Sequence, residues 1–429
     1  MASPTDLKDL WRSLSGTEKY FLIALGVLTA SELWLYSISP GITYALLLST
    51  FFIKDFSLKN LSQEQQRHKR FAILYISHWA LHIIALLWTD NLSEGVAKLD
   101  IKSGLIALPL IFSSIPTTKW RKWMPLIKRG YLLLLLATAL LCLGRATYLS
   151  IEAGSVIGTI GFNFTYSALA LWIMHPGYLS MFFSAGIIWL AFDGTPWKVS
   201  KIAMISFLLL FTFLLSSRGI LLALVIALSA GMIYAALRLR SKKIIAAILI
   251  LPVILILSLF LLPDSIVGRY KQVFSSEQFT VVEGQETYNS IQSRLVQWDS
   301  ALEIISKHPW LGVSPGDAQA ELRVKYKEKQ FGVGLSEGYN AHNGFLQDQL
   351  ALGVLGGAFW LLFFVMNFRW ALREDNVILF VFWVLFATAI LTESILERNW
   401  GVYWLMLFTW IFAVGRSVDP QDGNKEAHK

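Results

Sequence analysis

Two arginines and a histidine stand at the edges of apolar runs, where their chemistry can be joined. Arg218 lies in LLSSRGILLAL and Arg294 in SIQSRLVQWDSALEIISKHPWLGV. His342 lies in YNAHNGFLQDQLALGVLG, where a long hydrophilic stretch gives way to an apolar one. A guanidinium pair grips an anionic diphosphate with bidentate bonds and neutralises it as a leaving group. A neutral imidazole, with an ordinary pKa of about 6.5, takes a proton from an attacking hydroxyl. A glycosyl diphosphate with its charge balanced departs without a carboxylic-acid donor, unlike glycoside hydrolysis with its two carboxylates.

Each residue also has a plainer reading. Arg218 can snorkel to the interface or bond helix-end carbonyls. Arg294 can be a solvated arginine on a loop helix. The polar entry holding Asn340, His342, Asn343, Gln347 and Asp348 can cap free backbone N–H groups, a role that suits Gln347 and Asp348 better than His342. The missing signatures narrow the chemistry. The chain carries no Asp-x-Asp metal clamp, P-loop, dinucleotide fingerprint or His-Glu-x-x-His, so neither a metal, a cofactor nor a nucleotide-sugar substrate is expected.

These residues must be held by membrane helices. Of 429 residues, 55% are hydrophobic and only 15% charged, and the mean hydropathy is +0.54, more apolar surface than one soluble core hides. Apolar runs of bilayer length recur. The reading is an all-α polytopic membrane protein of about twelve transmembrane helices with one large, partly helical periplasmic loop. The spans fall near 20–38, 41–53, 71–89, 103–115, 130–148, 166–192, 199–217, 219–237, 244–262, 341–368, 376–394 and 399–415, of which 41–53 and 103–115 are short enough to be tilted or re-entrant. The organisation is then 1–262 as N-terminal membrane helices, 263–338 as the periplasmic module, 339–416 as C-terminal membrane helices, and 417–429 as a cytoplasmic tail. The first span follows a mixed-charge start with no small-x-small cleavage site, and reads as an uncleaved helix.

Basic residues fix the orientation, because cytoplasmic segments retain positive charge. With both termini inside, 24 of the 37 basic residues fall on inner segments, and eight more lie in 263–338, a long loop exempt from the rule. Lys98, Lys102, Arg145, Arg218 and Arg398 are left for outer positions. The net charge of +8 reflects this topology. It is not a nucleic-acid signature, since no aromatic-interleaved basic patch accompanies it. The lone Cys142 lies within an apolar span and says nothing of redox compartment.

The loop holds one amphipathic segment, with Leu295, Trp298, Leu302 and Ile305 on an apolar stripe ended by Pro309 and Gly312. The following ELRVKYKEKQ reads as a solvated charged face. A second motif, HPGYLS from His175 to Ser180, opens with a histidine ahead of a helix-kinking proline. In LTESILERNWG, Glu393, Glu397 and Arg398 stand together at an outer helix end, either lining an acceptor side or forming an interfacial ion pair.

Taken in order along the chain, these motifs resemble the O-antigen ligase and polymerase superfamily of bacterial envelope glycosyltransferases. The resemblance rests on SSRG, on the R-x3-W…HP-x-x-G pattern, and on the His-Asn…Gly entry, with an enlarged loop late in the sequence. It implies a metal-independent, inverting transfer of a glycan from undecaprenyl diphosphate to an acceptor hydroxyl at the periplasmic face of the bacterial inner membrane. Carried over by position, Arg218 and Arg294 are the diphosphate ligands and His342 the general base. His175 and Tyr178 of HPGYLS, with Asn343, Glu393 and Arg398, are secondary candidates. The loop and the His-Asn entry resemble a ligase most, with lipid A–core as acceptor. A polymerase, a protein-directed transferase, and a lipid or glycan transporter that guides a diphosphate without chemistry are the alternatives. Transporters place polar sites near the midplane, whereas these cluster at one face.

Overall fold

The computed structural model describes residues 4–34, 41–43, 45–46, 63–154, 162–239, 279–281, 284–285 and 288–414. The span expected at 244–262, most of 41–53 and the tail 417–429 lie outside the described residues. Among those described, every regular element is a helix. The order is α1 (Pro4–Arg12), α2 (Gly16–Trp34), α3 (Gln63–Ala85), α4 (Leu92–Ile101), α5 (Gly104–Ser114), α6 (Thr117–Glu152), α7 (Tyr166–Ala170), α8 (Pro176–Phe192), α9 (Val199–Leu214) and α10 (Arg218–Leu239). After the gap come α11 (Ser290–Lys307), α12 (Ala318–Glu328), α13 (Gly332–Ser336), α14 (Gly344–Leu352), α15 (Val354–Arg373), α16 (Val377–Ala389) and α17 (Asn399–Val414).

Among the described residues three helices, α6, α10 and α15, are long and apolar enough to cross a bilayer, and α8, α9, α16, α17 and the apolar part of α3 are shorter. At 36 residues, α6 extends about 54 Å, well beyond the roughly 30 Å of hydrocarbon. The surplus is its basic first half, with Lys119, Arg121, Lys122, Lys128 and Arg129. Helices α8 and α17 are apolar all round and buried along nearly their whole length, as helices inside a bundle must be. Around them packs an aromatic core in which Trp123, Trp360, Trp383 and Trp404 are fully enclosed. Phe382 and Trp404 meet with ring centroids 4.9 Å apart.

Two expected spans are broken. The run 341–368 is not one helix: α14 ends at Gly353, whose φ of 60° and ψ of −142° no helix allows, and α15 starts afresh. A Cβ at Gly353 would stand 2.3 Å from the carbonyl oxygen of Trp310, so only glycine lets the 309–311 turn press against the break. The run 166–192 likewise divides into α7 and α8, with His175 as the N-cap of α8 and Pro176 in its first turn.

Outside the bundle, α11, α12 and α13 share a second, smaller core. Val296, Ile304, Leu322, Tyr326 and Phe331 pack there with Leu350 and Leu352 of α14 and Ala85 at the end of α3. The stripe read from sequence is rotated. Val296, Gln297, Ser300, Ala301, Ile304 and Ile305 are the buried positions of α11, while Leu302 is 52% exposed. The reason is that α11 is gripped from two sides, by α12 and by α14. The charged run of α12 is solvated at Arg323, Lys327 and Glu328, but not throughout. Lys325 reaches Glu303 at 3.1 Å and Lys329 reaches Glu303 at 2.6 Å, tying α12 to α11. Ser314 and Asp317 fasten the module to the turn before α4, where Asp317 accepts from Thr89 Oγ1 and the amides of Asp90 and Asn91 at 2.9–3.0 Å.

Candidate active site

The connector between α16 and α17 is the hub onto which the chemistry-bearing residues converge. Arg294 lies on the first half of α11, a helix fixed by a capping box between Asn289 and Gln292. Its Nε donates to the Thr392 carbonyl at 3.0 Å and a terminal nitrogen to Glu393 Oε1 at 2.7 Å. The entry to α14 docks on the same connector, with Gly344 N–H on the Ile390 carbonyl at 2.8 Å and Asn343 N–H on Ser394 Oγ at 3.1 Å. Arg218 opens α10, whose Gly219 lies so near Thr392 that a Cβ would come within 2.8 Å of its hydroxyl. The Arg218 guanidinium donates to Ser290 Oγ on α11.

His342 is held in a left-handed backbone conformation, φ 43°, by the hydrogen bond its amide N–H donates to Asn340 Oδ1 at 2.9 Å. Asparagine side chains stabilise such turns through their own backbone. The result turns the imidazole toward Glu393, with Nδ1 3.2 Å from Oε2. Glu393 lies beyond the end of α16. Burial would raise its carboxyl, but the hydrogen bond from His342 and the charges of His342 and Arg294 outweigh that and hold it down to about 2. An ionised carboxylate only accepts. The proton of a neutral His342 is therefore on Nδ1, and Nε2 presents a lone pair.

Arg218, Arg294, His342, Glu393 and His175 line one cavity of about 290 Å³, near the lower end of small-molecule sites. Three of the secondary candidates fall elsewhere. Asn343 is the N-cap of α14, accepting from the amides of Phe345 and Leu346. Tyr178 is buried one turn into α8 against Trp400, ring centroids 5.5 Å apart. Arg398 caps the short 3-10 turn Ile395–Glu397 and does not reach the cavity wall. Of the group Glu393, Glu397 and Arg398, expected to line an acceptor side or form a local ion pair, Glu397 pairs with distant residues instead: it binds Lys102 at 2.5 Å and Lys98 at 3.2 Å. That pairing engages two of the five basic residues expected at outer positions.

The sequence reading missed the rest of the wall. Ser290, Ser293, Arg294 and Gln297 recur at i, i+3, i+4 and i+7 on α11 and all face the cavity, a polar stripe at helical period that the apolar stripe obscured. Gln297 is buried, and its Oε1 has no partner among the described residues. Tyr166, Tyr288 and Tyr339 add aromatic faces.

A second polar cluster lies deeper. Asp348 of α14 accepts from His78 Nε2 at 2.7 Å and Trp360 Nε1 at 2.8 Å, and His82 Nε2 stands 3.6 Å from its other oxygen. These three ligand-type residues are close enough together, within 4.8 Å, to hold a divalent ion. With neutral imidazoles, however, the charges of Asp348 and Glu397 already balance those of Lys98 and Lys102, and a buried dication would leave a net charge in a dry site.

An all-helical membrane protein with a cationic, histidine-bearing cavity at the helix ends is the class that fold and site define. Within it, residues 202–361 match the O-antigen ligase family. That stretch contains Arg218, Arg294 and His342, while His175 and Glu393 come from either side of it. The match supports the O-antigen ligase and polymerase superfamily and a function of that type. Comparison with curated proteins finds no match.

Proposed function

We propose that the chain is an O-antigen ligase-type glycosyltransferase of the bacterial inner membrane, moving a glycan from undecaprenyl diphosphate to lipid A–core with inversion. Both termini are cytoplasmic and the cavity faces the periplasm. The observation that carries this reading is the convergence of Arg218, Arg294 and His342 on one cavity. His342 Nε2 takes the proton of the acceptor hydroxyl, whose oxygen attacks the anomeric carbon opposite the diphosphate. The new bond joins that carbon to the acceptor oxygen. The bond to the diphosphate oxygen breaks, and its electron pair leaves on a group neutralised by the two guanidiniums. Glu393 holds Nδ1–H and stabilises the imidazolium that forms, as the carboxylate of a catalytic triad does.

The test is incubation of purified protein with undecaprenyl-diphosphate glycan and lipid A–core, followed by mass analysis. A glycan-extended lipid A–core is the expected product. Lengthened carrier-bound glycan without acceptor would instead make the chain a polymerase, and no product with any acceptor, with carrier binding intact, would favour a transporter.

A further inference from the structure

His175 and His342 share the cavity, yet their surroundings force opposite tautomers on them. At His342 the Nδ1 proton is committed to Glu393 and Nε2 is left as an acceptor. At His175 the partner is a donor: the side chain caps α8, and Nδ1 accepts from the Gly177 amide at 3.2 Å. A backbone amide only donates, so Nδ1 must offer its lone pair, and the ring proton of a neutral His175 sits on Nε2. Pro176 has no N–H, which makes the Gly177 amide the first in the helix that needs a cap. The residue lines the cavity with Nδ1 turned to the backbone, so Nε2–H is the polar group it has left to offer. Among the described residues that group has no hydrogen-bond partner.

We infer that His175 is a neutral hydrogen-bond donor to the diphosphate, a third ligand beside Arg218 and Arg294, and not an alternative base. The chemistry follows from the tautomer. A phosphoryl oxygen accepts only, and can meet His175 Nε2–H but not His342 Nε2. An acceptor hydroxyl can give its proton to His342 Nε2 but not to His175. The two rings thus sort the cavity into a leaving-group side and an attacking side. The inference rests on the diphosphate reading of this cavity.

Serine and asparagine cap helices as well as or better than any residue, so either substitution keeps the α8 cap and removes the imidazole Nε2–H. Binding of inorganic pyrophosphate to the purified full-length protein, followed by calorimetry, separates the possibilities. The expected result is that His175→Ser keeps the wild-type melting temperature while pyrophosphate binds about 10- to 100-fold more weakly, the loss of one hydrogen bond to a charged group. Unchanged pyrophosphate affinity in a folded His175→Ser protein overturns the inference and leaves the diphosphate reading standing. If the wild type itself does not bind pyrophosphate, the diphosphate reading fails and the inference with it. Should His175→Ser not fold, the same measurement on His175→Asn decides between the same outcomes.

Discussion

Two histidine–carboxylate contacts in this molecule use the same residue types and do opposite things. In the deep cluster His78 meets Asp348 at 2.7 Å, with side-chain exposures of 1% and 4%. In the cavity His342 meets Glu393 at 3.2 Å, with exposures of 27% and 13%. The deep carboxylate accepts from His78 and Trp360 through one oxygen and faces His82 with the other, all of it sealed inside the protein, so no substrate reaches it. It locks α14 to α3 and α15. The cavity carboxylate is shared between a guanidinium and an imidazole, each of which keeps donor or acceptor capacity facing open space. A charged cluster becomes a reactive site when its polar groups are fixed and still open to a ligand.

The largest effect that would break this comparison is at His342. His342→Ala should lower transfer about 10²- to 10⁴-fold, the usual share of a general base, with little change in protein level or carrier binding. Asn343→Ala is the control, costing about 1 kcal/mol as a lost helix cap and much less activity. A folded, fully active His342→Asn protein would sink the catalytic assignment, since asparagine caps well and is a poor base.

Asp348→Ala should show the reverse pattern. Removing one partner of a buried, paired charge costs about 3–5 kcal/mol, read as a lower melting temperature in detergent. Transfer per folded molecule should stay within a few fold of wild type. A stable Asp348→Ala protein that has lost transfer would move the deep cluster into the catalytic machinery.

Smaller effects sharpen the cavity side. Arg294→Lys should weaken transfer roughly 10- to 100-fold, because lysine keeps the charge but cannot span the Thr392 carbonyl, Glu393 and a phosphoryl oxygen with one planar fork. A wild-type rate in that variant would reduce Arg294 to a point charge. The smallest expected effect is none. EDTA should leave both melting temperature and transfer unchanged, since arginines supply the neutralisation in the cavity and charge balance closes the deep cluster. Activity lost on chelation and restored by magnesium or manganese would count against the mechanism, and a fall in stability alone would assign a metal to His78, His82 and Asp348.

Much of the site was legible because its signals are local. Arg218 violates the positive-inside pattern, His342 interrupts a membrane entry with polarity, and Arg294 sits in a helix whose period can be counted. The partners of Glu393 were not legible, for they lie 51 and 99 residues away in sequence. No spacing rule reaches so far. A greater separation, 295 residues from Lys102 to Glu397, hid that pairing as well. Tautomers were equally out of reach, because a histidine's proton is placed by whatever its other nitrogen touches.

By itself, then, the sequence determined the membrane class, the helical character and the three residues with the strongest chemical character, since each depends on hydropathy, period or polarity within a few turns of chain. The tertiary structure alone decided that the apparent span 341–368 breaks at Gly353, that α11 turns its polar stripe to the cavity, and that one histidine cluster is sealed while the other stays open. Those outcomes depend on which distant segments exclude water from which side chains, and exclusion of water is a property of packed surfaces that no single stretch of chain contains.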